Sequence, residues 1–95
     1  MSNTTDITQT LNERGSRYGK FTGHAEITQK LKNTVADFRF VHQKPPLAAD
    51  QQEALDMIFH KIGRIVNGDP NYADHWHDIA GYAMLVDRRL NGTEL

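Results

Sequence analysis

The chain has no cysteine, which excludes a disulfide framework, a thiolate-bound zinc ion and a cysteine nucleophile. It has no apolar run near the roughly 20 residues that a bilayer-spanning helix needs. Its first ten residues, "MSNTTDITQT", lack the basic and apolar regions of a secretory signal. Neither charge dominates: 11 Lys and Arg stand against 12 Asp and Glu, a net charge of −1. That balance gives no case for bulk nucleic-acid binding. No Walker sequence, dinucleotide fingerprint, HExxH motif, internal repeat or low-complexity tract occurs.

What is there suits one globular domain: 95 residues, 38% hydrophobic and 24% charged. A chain of this size buries only a thin core, so a homo-oligomer is expected. The charge is uneven along the chain. Residues 1–44 carry seven Lys/Arg and four Asp/Glu, and residues 45–95 carry four and eight. Opposite halves of this kind attract one another within or between subunits, or the asymmetry is only a property of the surface.

The periodicity predicts an all-α chain of four helical segments. Ile7 and Leu11 mark a short first helix over 5–13, capped by Thr4, Thr5 or Asp6. Three glycines within residues 14–23 predict a loop there. Ile27, Leu31, Val35 and Phe38 form one stripe of a helix over 24–40, which "HQKPPLA" ends. Leu55, Ile58, Phe59, Ile62, Ile65 and Val66 form the apolar face of a helix over 50–67. "NGDP" then turns the chain, with Gly68 suited to a left-handed C′ position and Pro70 to a first turn. A last helix over 72–90 is apolar on more than one face, which points to a subunit interface on its second side. The fold expected is a small bundle built on the antiparallel hairpin of the third and fourth helices. The second helix packs across that hairpin, and the first helix and arginine loop cover one end.

Four acids suggest chemistry. Asp74 and Asp78 lie one turn apart on the last helix, and Glu53 and Asp56 one turn apart on the third. Two such pairs on neighbouring antiparallel helices suit one or two Mg²⁺ ions against a polyphosphate. The plainer alternatives stay open: Asp78 pairs with Lys61 or Arg64, and Glu53 closes a capping box from Asp50. Gly81, in mid-helix, implies a close neighbour that compensates its cost. His60, His75 and His77 lie near one hairpin and offer a near-neutral base or a phosphate-facing donor. "RGSRYG" sets Arg14, Arg17 and Tyr18 among glycines. Arginine forks grip phosphate there, and Tyr18 or Trp76 stacks on a base. The alternative is a solvated turn whose arginines reach acids of the other half.

The blocks "RYGKF", "EALDMIFHKIGRIVNGDP" and "DIAGYA", within about residues 11–90, closely resemble a family of small proteins of tailed phages and their prophages. That resemblance implies a phage product acting in the bacterial cytoplasm and brings no activity with it. More remotely, the chain is similar to MazG-like all-α nucleoside triphosphate pyrophosphatases, which hold Mg²⁺ between acidic clusters on consecutive helices. This similarity implies that Glu53 and Asp56 belong to a first cluster and that Asp78 ends a second. The adjacent glutamates of the usual first cluster are missing, and His60 stands where a further acid belongs. The expected function is a Mg²⁺-dependent pyrophosphatase. Glu53, Asp56, Asp74 and Asp78 hold the metal, Arg14, Arg17, Lys61 and Arg64 neutralise phosphate, Tyr18 contacts the ligand, and His60 orients the attacking water. The alternatives are a nucleotide-binding protein without turnover and a protein-interaction module.

Overall fold

The computed structural model describes residues 3–95, with side chains from residue 7 onward. The capping expected from Thr4, Thr5 or Asp6 lies outside the described side chains. Four helices follow in order: α1 (Asn3–Tyr18), α2 (Phe21–Val41), α3 (Ala49–Asn67) and α4 (Ala73–Leu90). No strand occurs among the described residues, so the chain is all-α. No described helix is long and apolar enough to cross a membrane.

The α3–α4 hairpin is antiparallel. Asp50 pairs with Arg89 at one end and Lys61 with Asp78 further along, so numbers rise on one helix as they fall on the other. The second helix does not cross the hairpin as the apolar stripes suggested. It lies along α3 and makes no contact with α4 among the described residues. The reason is a close approach at Gly63: a Cβ there would stand 2.6 Å from Thr28 Oγ1 and 2.9 Å from His24 Nδ1. The bare glycine lets α2 sink against α3 and fixes it beside the hairpin.

The expected loop over 14–23 is mostly helix. α1 runs through Gly15 to Tyr18, and the break is confined to Gly19 and Lys20. One glycine inside a helix costs about 1 kcal/mol, which a docked last turn offsets. That turn is docked: Asp69 N–H donates to Arg17 O at 2.8 Å, and Asn67 Nδ2 donates to Tyr18 O at 3.1 Å and Lys20 O at 2.8 Å. Gly19 has φ +78° and its N–H returns to Gly15 O at 3.0 Å, which ends the helix in the left-handed way.

Two other glycine expectations fail. Gly68 is not left-handed (φ −123°); a Cβ there would strike the backbone of Arg17 and Tyr18, so close approach is what requires it. Gly81 has nothing within 4 Å of its would-be Cβ, so no packing compensates it. Pro70 precedes α4 and does not open it, and its carbonyl accepts from Trp76 Nε1 at 2.9 Å. The charge asymmetry forms no ion pair between the halves among the described residues.

Candidate functional site

A cleft of about 590 Å³ opens where the end of α1, the Gly19–Lys20 turn and the start of α2 meet α3. Asn67, from α3, holds the turn beside it with two hydrogen bonds. The turn in turn sets Lys20 and Phe21 on one wall. Arg14 and Tyr18, one helical turn apart on α1, form another. His60 and Arg64, also one turn apart, come from α3. Arg64 lies over the Tyr18 ring, with its guanidinium carbon 4.2 Å from the ring centre. That contact orients the arginine and leaves its fork free to bind an anion.

At the base, His24 Nε2 and His60 Nδ1 are 3.2 Å apart, and the rings meet edge to face with centres 4.5 Å apart. Burial first, then the cations of Arg64 and Lys32, holds the His24 imidazole below its ordinary range. His60 is lowered by burial, then by His24 and by Arg64, Lys32 and Lys61. Two neutral rings share one N–H between these nitrogens. His24 Nδ1 and Thr28 Oγ1, both buried, have no hydrogen-bond partner. No carboxylate lines the cleft among the described residues. Three cations, two imidazoles and the rings of Tyr18 and Phe21 therefore face one volume.

The expected site residues are divided by the fold. Arg14, Tyr18, His60 and Arg64 come together in the cleft. Arg17 does not: its Nη1 donates to Tyr72 Oη at 3.3 Å, and it stands 4.8 Å above the Tyr72 ring. Lys61 is buried and pairs with Asp78 at 2.8 Å. The Lys61 ammonium holds the Asp78 carboxyl below its ordinary range. Trp76 is outside the cleft, tied to Pro70.

The four acids do not converge. Asp74 accepts from Tyr72 Oη at 2.9 Å, and Asp56 from Gln52 Nε2 at 3.0 Å. Glu53 is exposed at a separate hollow of about 230 Å³ that it shares with Asp50 and Arg89. It closes no capping box; Gln51 Oε1 accepts from Ala48 N–H at 3.0 Å, and Asp50 is bound by Arg89. Among the described residues no three carboxylate or imidazole groups are placed to hold a metal ion. The three expected histidines also part. His75 is 1% exposed, packed between the rings of Tyr18 and Tyr72, His60 turns to His24, and His77 is exposed.

Sequence reasoning missed Lys20, Phe21, His24 and Asn67. The last three stand on helices whose mutual approach depends on Gly63 and Gly19, and no local spacing encodes that approach. Comparison with family models, curated proteins and solved structures gives no match for this chain.

Proposed function

We propose that the protein binds a phosphorylated small molecule carrying an aromatic ring, a nucleotide in the simplest case, and holds it without turnover. The observation that carries this reading is the composition of the cleft: Arg14, Lys20 and Arg64 around one volume that no carboxylate lines among the described residues. Guanidinium forks match phosphate oxygens two at a time, and Lys20 adds a mobile point charge. Phe21, 77% exposed at the rim, offers a face for a base. A volume of about 590 Å³ suits a ligand of nucleotide size. The His24–His60 pair acts as a proton acceptor: an anion beside it favours the charged imidazole and so strengthens its own binding.

A Mg²⁺-dependent hydrolase needs Glu53, Asp56, Asp74 and Asp78 at one point; the separate partners of the three aspartates and the place of Glu53 at another hollow argue for binding instead. The reading implies action where nucleotides are held, in the cytoplasm. Calorimetry with nucleoside mono-, di- and triphosphates in excess chelator tests it. Binding is expected, weakened at least tenfold by Arg64→Ala and strengthened between pH 7.5 and 6. Absence of binding at millimolar nucleotide, or binding indifferent to Arg64→Ala and Arg14→Ala together, would refute it.

A further inference from the structure

The cleft occupies one side of α3 only. At about 100° per residue, His60 and Gly63 point to α2, and Asp50 and Lys61 point to α4. Glu53 and Arg64 fall in the arc between them, on the side where α1 docks. The opposite and wider arc carries Leu55, Phe59, Ile62 and Val66, spaced four, three and four. Val66 is exposed on this stripe, and Leu55, Phe59 and Ile62 are half-buried between the flanking helices. α2 and α4 do not touch each other; they flank the stripe.

Each flank continues the apolar surface. Ile27, Leu31 and Phe38 lie on the side of α2 away from Lys32, whose charge acts on the cleft histidines. Ile79, Ala83 and Leu90 lie on the side of α4 away from Leu85, which lines the Glu53 hollow. Phe38, Val66 and Leu90 are 56%, 62% and 59% exposed. Three helices thus form a single layer with an open apolar face, and a lone layer has no core. Ala54 is the one buried hydrophobic residue among those described.

The surface area is larger than a folded monomer needs, with the exposed α1 contributing part of the excess. The chain exposes 7130 Å², whereas a folded monomer of its 10.8 kDa exposes about 5,500 Å². The surplus of about 1,600 Å² is twice the share each partner gives to a standard interface. The radius of gyration agrees: 16.3 Å against about 12 Å for a compact chain of this length. A face on which folding depends must be covered whenever the chain is made. The chain itself is the partner always present at its own concentration. The stripe carries no charge, so two copies meet about a two-fold axis without opposing like charges.

We propose that a second copy of the chain packs on the Leu55–Phe59–Ile62–Val66 face and that the two layers share one core. This inference is independent of the ligand reading. Light scattering on the full chain should give a mass twice 10.8 kDa, with a Tm that rises with protein concentration. Val66→Asp should abolish the dimer. The chain's lack of cysteine allows a second readout. In Val66→Cys the thiol should react with a maleimide at least tenfold more slowly than in Phe40→Cys, a position 85% exposed, until dilution removes the difference. A folded monomer at micromolar concentration overturns the proposal. So does a dimer that survives Val66→Asp, or one in which both thiols react alike. If Val66→Asp unfolds, the thiol rates decide.

Discussion

On its α2 side, α3 is held by close approach; on its α4 side, by charge. Gly63 brings Thr28 and His24 against the α3 backbone, and Asn67 at the next turn is enclosed by Gly19 and Gly23. Across the hairpin the contacts that fix register are Lys61–Asp78 at 2.8 Å and Arg89–Asp50, where Nη2 meets Oδ1 at 2.6 Å. The carboxylates of these pairs are 41% and 40% exposed, so solvent screens them. Close approach leaves no room for an added methyl. A half-exposed ion pair yields by degrees. The cleft stands on the side held by close approach, where Arg64 is held over the Tyr18 ring.

The largest effect should come from the turn. Gly19→Ala puts a Cβ against the backbone carbonyl of Asn67 at positive φ, and should cost about 3 kcal/mol by urea unfolding. A change within measurement error would mean that α1 is not docked, and the contrast between the two sides would fall. Gly63→Ala should cost less, about 1–3 kcal/mol, because its Cβ meets side chains and no foreign backbone. Thr28→Ala in the same chain should return part of the loss, a coupling that a double-mutant cycle measures.

Acidification should separate the two sides with the smallest signal. The folded-state pKa values of His24 and His60 lie below 6.5. The unfolded chain takes up protons there that the folded chain refuses. Stability contributed by these neutral rings is full above pH 6.5, falls below it, and levels off beneath the folded values. Asp50 and Asp78 are lowered from 3.8 by Arg89 and Lys61. Their contribution is full above that pH and lost below it. Thermal melts from pH 8 to 3 should therefore show two descents, and His60→Asn should reduce only the upper one. A single descent near pH 4 would remove the distinction.

Helices were legible wherever their apolar residues recur in register, as in α3, whose expected span of 50–67 differs from Ala49–Asn67 by one residue. Glycine misled in three ways. Gly15 suggests a break and is helical, Gly68 suits a left-handed turn and is not left-handed, and Gly81 implies a close neighbour and is open. The role of a glycine depends on what approaches it, which lies far away in sequence. The candidate site was half legible. Arg14, Tyr18, His60 and Arg64 carry chemistry that residue type alone suggests, whereas His24 and Lys20 acquire theirs from position.

By itself the sequence determined the helical faces, the cations near the first turn and the lack of thiols, because these follow from periodicity and composition along the chain. The pairing of Asp78 with Lys61 or Arg64 was legible in the spacing, and tertiary structure chose Lys61; it alone decided that Tyr72 takes both Arg17 and Asp74, and that two histidines 36 residues apart meet at 3.2 Å. Charges act across space over a few ångströms, and the chain reaches those distances only after its helices have packed.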